Sequence, residues 1–108
     1  MAAEPKVTHQ GLRVLKVFLD AFQENVRATL AGADIMRRAR LTSGTIYPLL
    51  VRFEDATLLT SEWEQQRPED LGRPRRRLYS LTPKGAQFAH NALSELLPSN
   101  VRWVTERG

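Results

Sequence analysis

Leu41-Thr42-Ser43-Gly44-Thr45-Ile46-Tyr47-Pro48-Leu49-Leu50-Val51-Arg52-Phe53 is the stretch on which the fold turns. Ile46, Leu49, Leu50 and Phe53 recur at the three-four spacing of an amphipathic helix and make one apolar stripe. The opposite face carries Gly44, Tyr47, Pro48, Val51 and Arg52 in place of the Glu/Lys mixture of a solvated helix. Small or flat residues with a Tyr and an Arg point to close approach to a partner. Thr42 or Ser43 supplies an N-cap hydroxyl. Pro48 leaves the helix start open: the stripe runs from Ser43, whereas propensity alone starts the helix at Pro48, because an internal proline forfeits a hydrogen bond.

Upstream, a second helix is predicted over residues 31–39, with Leu30, Ile35, Met36 and Ala39 inward and Arg37, Arg38 and Arg40 near its C-terminal end. Those arginines either complement the helix dipole or face an anion. A first helix is predicted over residues 8–25, capped by Thr8 and striped by Leu12, Leu15, Phe18, Leu19 and Phe22. Val14, Val17 and Ala21 add a second apolar side, which one small core does not consume, and they are read as a subunit contact.

Downstream of Thr57 the period changes to two. Leu59, Ser61 and Trp63 alternate with Thr60, Glu62 and Glu64, and Arg77, Tyr79 and Leu81 alternate with Arg76, Leu78 and Ser80. The polar segment 65–75 between them is read as a long basic loop, free to move at the tip of a hairpin. Thr82 and Pro83 open a last helix with Ala86, Ala89, Leu93, Leu96 and Leu97 as its stripe and Phe88 and Ala92 to one side; Pro98 stops it. Phe88, Ala92 and Leu96 are the second candidate subunit contact.

The chain has 108 residues with 16 Lys+Arg against 12 Asp+Glu, a formal charge of +4. The charge is unevenly placed. Residues 37–52 hold Arg37, Arg38, Arg40 and Arg52 and no acid, which is +4, and residues 73–77 (Arg-Pro-Arg-Arg-Arg) hold another +4, so the remainder sums to −4. Two acid-free blocks localise a positive field, as phosphate binding requires. A chain of this length carries one thin core, so an oligomer is expected before a second domain. The absence of cysteine excludes a disulfide framework, a thiolate metal site and a cysteine nucleophile. No signal-like start or membrane-length apolar run is present, so a cytoplasmic location without membrane contact is expected.

Helix, helix, turn, helix, hairpin, helix, with arginines at the turn and at the hairpin tip, is the order of a winged helix-turn-helix: mainly α with a β-hairpin wing. The residues then carry a resemblance. Ser43-Gly-Thr-Ile-Tyr-Pro-Leu-Leu-Val-Arg-Phe-Glu54, Leu58-Leu59-Thr-Ser-Glu-Trp63-Glu64 and Gly72-Arg-Pro-Arg-Arg-Arg-Leu-Tyr79-Ser-Leu81-Thr82-Pro-Lys-Gly85 closely resemble the PadR family of bacterial transcriptional regulators, over roughly residues 8–97. The resemblance implies a DNA-binding homodimer, most often a repressor on a palindromic operator, with Pro48 inside the recognition helix. It looks like the short subfamily, which lacks a separate C-terminal domain and dimerises through the N- and C-terminal helices. On that reading residues 1–97 form the DNA-binding and dimerisation domain and 98–108 a short tail.

By resemblance and position, Thr42, Ser43, Thr45 and Tyr47 face DNA at the start of the recognition helix, with capping as the alternative for Thr42 or Ser43. Arg52 faces a phosphate or a guanine edge, or else pairs with Glu54 or Asp55. Arg73, Arg75, Arg76 and Arg77 make the wing, two of them as contacts, since alternation turns Arg77 away from Arg76. Lys84, in the first turn of the last helix, calls for a nearby anion and is placed on the DNA backbone. Trp63 and Tyr79 are read as core or inter-strand packing. Trp103 either covers the dimer seam or lines a pocket for a small aromatic effector. His9 and His90 make no metal site, and no cofactor is expected. The alternatives are a winged-helix protein-protein interaction module, which would want an acidic or apolar recognition helix, and an enzyme, for which no nucleophile elbow or phosphate-binding glycine loop is present.

Overall fold

The computed structural model describes residues 7–96. The order is α1 (His9–Glu24), β1 (Leu30–Ala31), α2 (Gly32–Ala39), α3 (Ser43–Asp55), β2 (Leu59–Trp63), α4 (Pro68–Leu71), β3 (Arg77–Leu81) and α5 (Pro83–Ser94). The strands form one antiparallel sheet in the order β1-β3-β2, with Leu30 opposite Tyr79, Leu59 opposite Leu81 and Trp63 opposite Arg77. This is the mainly helical winged helix-turn-helix that the order of elements predicts.

The core follows the apolar stripes. Phe18 and Leu15 of α1, Ile35 of α2, Ile46, Leu50 and Phe53 of α3, and Leu58 beyond it are all fully buried. Each large side chain removed from water in this way stabilises the fold by roughly 1.5–3 kcal/mol. Thr8 caps α1 by accepting the Gly11 N–H at 3.0 Å. Thr82 caps α5 in the same way, accepting from Gly85 N–H at 2.9 Å.

Three expectations change. Leu30 is inward, but on a two-residue strand paired with β3, and α2 begins only at Gly32; a bridge this short leaves no periodicity to read. The segment 65–75 contains the helical turn α4, begun by Pro68 and closed by Gly72 in the left-handed region (φ 69°), with Arg67 bonded to Asp70 at 3.2 Å. It is therefore not the structureless tip expected. Val14 and Ala21 belong to this chain's own core, at 0% and 8% exposure, because α1 is packed by α2 and β3 on one side and by α5 on another. Neither has surface to offer a partner. Trp63 keeps to the inter-strand half of its expectation: it is 54% exposed, where the sheet has run out past the core, and packs across the strands against Arg77 opposite it.

The junction between α3 and α5 is the tightest place in the fold. Leu58 N–H donates to Phe53 C=O and Thr57 N–H to Glu54 C=O, both at 2.9 Å, which is a Schellman closure of α3. The position that such a closure gives to glycine is occupied by Thr57, at φ 61°. Thr82 Oγ1 donates to Thr57 C=O at 2.7 Å, and Thr82 N–H donates to Leu58 C=O at 3.0 Å. A Cβ on Gly85 would collide with that same Leu58 carbonyl, so only glycine lets α5 start so close.

Candidate nucleic-acid interface

α3 presents the face its sequence promised. Ser43, Gly44, Tyr47, Pro48, Val51 and Arg52 are exposed, while Ile46, Leu49, Leu50 and Phe53 are buried. Pro48 lies inside the helix, and the carbonyl it leaves without an N–H is that of Gly44, four residues back on the exposed side. Thr42 occupies the N-cap position, but its hydroxyl makes no capping bond and sits 3.3 Å from the Thr45 hydroxyl. Its carbonyl accepts from Thr45 and Ile46, so the first turn is closed by backbone, and the Thr42 and Ser43 hydroxyls stay exposed at the positive end of the helix. Thr45 is half-buried.

Tyr47 does two things. Its ring lies over the start of α2, where a Cβ on Gly32 would collide with the phenol oxygen, yet 44% of the residue remains exposed. Gly32 is thus the partner that leaves room for the end of an aromatic side chain between the two helices of the helix-turn-helix. The turn itself is made by Arg40 in the left-handed region (φ 58°), and Arg13 of α1 donates to the carbonyls of Ala39 and Arg40, closing α2. Arg37 pairs with Asp34 at 3.3 Å. Among the described residues, Arg38, Arg40 and Arg52 are exposed with no side-chain hydrogen bond or ion pair.

The wing arginines divide differently. Glu64 accepts two bonds from Arg73, at 2.6 and 3.1 Å, and the Arg76 backbone N–H at 2.8 Å. The Arg73 guanidinium first, and then the Arg76 N–H, hold the Glu64 carboxyl down to about 2. Arg73 is therefore a staple across the base of the wing, only 32% exposed, instead of a free contact. Arg75 Nε donates to the Gln66 carbonyl at 2.8 Å. Arg77 stacks on Trp63 with its Cζ 5.2 Å from the ring centre, donates to Ser61 Oγ at 2.9 Å and approaches Glu54 of α3 at 3.9 Å. Ser61 in turn donates to Glu54 at 2.6 Å. This chain of contacts ties the wing to α3 and takes Arg77 out of the exposed set. The Arg76 side chain is exposed and makes no such contact among the described residues.

Lys84 is also redirected. Its Nζ donates to the Ala56 carbonyl at 3.1 Å and to Thr57 Oγ1 at 3.0 Å, so within this chain the negative end of α3 serves as its partner. Sequence reading missed Arg13 and Lys84 as helix closers because both partners lie more than 25 residues away. Tyr79 is a buried residue, and desolvation pushes the pKa of its hydroxyl up.

The second half of the subunit contact fares better than the first. Phe88, Ala92 and Leu96 line an open groove together with Val7, Leu12 and Lys84, and Leu96 is 61% exposed. Val17 is half-buried beside Lys16 and Asp20, which pair at 2.8 Å. Leu97, Trp103 and the tail lie outside the described residues.

Residues 31–91 match the model of the PadR-like family of transcriptional regulators. The chain belongs to that family. A PadR-like transcription factor from Bacteroides fragilis has a similar structure, with 28% identity, 81% of this chain and 82% of that one covered, and a TM-score of 0.59. A putative DNA-binding protein from Ralstonia eutropha aligns with 25% identity over 86% of this chain and all of its own, TM-score 0.62. The fold is also that of the S. aureus MepR chain in its DNA complex, at 20% identity, TM-score 0.62, covering 83% of this chain and 64% of that one. No curated protein matches the sequence. The PadR-like family is one of DNA-binding regulators and not of enzymes. Among the described residues of this PadR-like chain no three His, Cys, Asp or Glu side chains cluster as metal ligands, and no helix is long and apolar enough to cross a membrane.

Proposed function

We propose that this PadR-like chain is a homodimeric transcriptional repressor that occupies a palindromic operator in double-stranded DNA. The observation that carries the reading is the exposed face of α3, from Ser43 to Arg52, next to a wing that keeps Arg75 and Arg76 at its surface. α3 enters the major groove, with Thr42 and Ser43 toward phosphates at its start and Tyr47 facing the DNA one turn on, and the wing follows the flanking backbone. The groove of Val7, Leu12, Phe88, Ala92 and Leu96 is the surface for the second subunit, which would bury apolar side chains that one copy leaves open. Release by a small aromatic ligand between subunits is part of this reading, and it is checked by titrating planar aromatic compounds into the protein-DNA complex.

The deciding experiment is selection of bound duplexes from a random pool by the purified protein. An inverted repeat with half-sites about 34 Å apart is expected. With about eight phosphates neutralised per dimer, the logarithmic salt slope is near −7. Failure to enrich any sequence, or an affinity insensitive to salt, would overturn the reading.

A further inference from the structure

The outer face of α3 has an unusual chemistry for a helix that reads base edges. From Ser43 to Arg52 there is no Asn or Gln to pair with adenine and no Asp or Glu to accept from cytosine. What projects instead is an apolar ridge: Tyr47, Pro48 and Val51 are neighbours at three- and four-residue spacing, with Tyr47 44% and Val51 59% exposed. Two of the exposed large apolar side chains of the described residues thus lie on one turn of one helix. Arg52 adjoins the ridge on the same helix, and the unpaired Arg38 and Arg40 stand before the turn that leads into it, with no acid from residue 37 to 52; a cationic segment of this kind fits a polyanion and disfavours an apolar protein partner.

In the major groove the one apolar feature of a base edge is the thymine C5-methyl group. We propose that Val51, with Tyr47 and Pro48 beside it, reads thymine methyls, so that the centre of each half-site is specified by methyl contacts and not by hydrogen bonds to adenine. This rests on the DNA-binding reading above and goes beyond it by naming what the helix recognises. Tyr47 suits the task because its phenol end is seated against Gly32, which anchors the side chain while 44% of the residue stays exposed, and Val51 because a β-branched side chain on a helix keeps one rotamer and presents its methyls without an entropic loss.

The test uses the duplex recovered by selection, with each thymine replaced in turn by deoxyuridine, which removes the methyl and leaves the pairing edge intact. Wild-type affinity, measured by fluorescence anisotropy, should fall about 3–5-fold at one or two thymines per half-site, roughly the value of burying one methyl group. Val51→Ala should bind thymine and deoxyuridine duplexes equally; its site is exposed, so the variant folds, as circular dichroism checks. Equal wild-type affinity for both duplexes at every position overturns this proposal alone, as does a Val51→Ala protein that keeps the discrimination. If no duplex is selected at all, the DNA-binding reading falls, and this proposal with it.

Discussion

The two basic blocks carry the same formal charge, +4 each, and use it in opposite ways. Around the helix-turn-helix, Arg38, Arg40 and Arg52 are exposed without side-chain partners among the described residues, and only Arg37 is paired, with Asp34. In the wing, Arg73 is held by Glu64, Arg75 by the Gln66 carbonyl and Arg77 by Ser61, Glu54 and Trp63, which leaves Arg76 as the unengaged side chain. A hairpin that runs past its core has few buried side chains to fix its shape, so charged groups fix it instead. Turn arginines on rigid helices need no such use. Counting arginines therefore measures field in one block and architecture in the other.

Removing the unengaged arginines should test this most severely. Arg52→Ala with Arg76→Ala should lower DNA affinity on the order of 100-fold and flatten the salt slope by roughly 3–4 for a dimer, with no change in Tm. A large Tm loss would mean these side chains are structural after all. Arg73→Ala should show the converse balance: faster proteolysis of the segment between β2 and β3, and a smaller loss of affinity spread evenly over all sequences. Acid should mimic it. The folded Glu64 carboxyl titrates near 2 and the unfolded one near 4.5, so its contribution is full above pH 4.5 and is lost as pH falls toward 2. Trp63 fluorescence, followed over that range, should report the loss in wild type and stay flat in Glu64→Gln.

Two smaller effects sharpen the contrast with a cation that serves neither block. Lys84→Ala should cost about 0.5 kcal/mol of stability, as for other helix-end charges, and leave the salt slope where it was. Thr57→Gly should gain about 1 kcal/mol, because glycine occupies the left-handed position without strain, provided the lost bond to Lys84 is worth less. Chemical denaturation measures both.

Most helices were legible because their apolar stripes are long: α1, α3 and α5 each repeat the pattern over three turns or more. Pro48 could not be placed by propensity, since the cost of an internal proline depends on whether the orphaned carbonyl meets water, which only the exposure of Gly44 decides. The α4 turn was written in Pro68 and Gly72, but four residues with a single leucine give no stripe to notice. Val14 and Ala21 misled because a helix wrapped by partners on several sides looks, in sequence, like one with a free second face. The candidate contacts on α3 could be read from one helix alone. Those on the wing and at Lys84 could not, because what an arginine or lysine does is set by the carboxylate or carbonyl that folding brings to it.

The junction at Ala56–Leu58 also has a mechanical meaning. Thr82, Lys84 and Gly85 hold the start of α5 against the end of α3, so the two helices share a pivot. α3 has 13 residues and is about 20 Å long. A tilt of about 10° at the pivot displaces its far end, at Ser43, by about 3.5 Å, close to the rise of one base pair. Where the start of α3 lies is therefore set in part at its other end, by the contacts that Thr82, Lys84 and Gly85 make there.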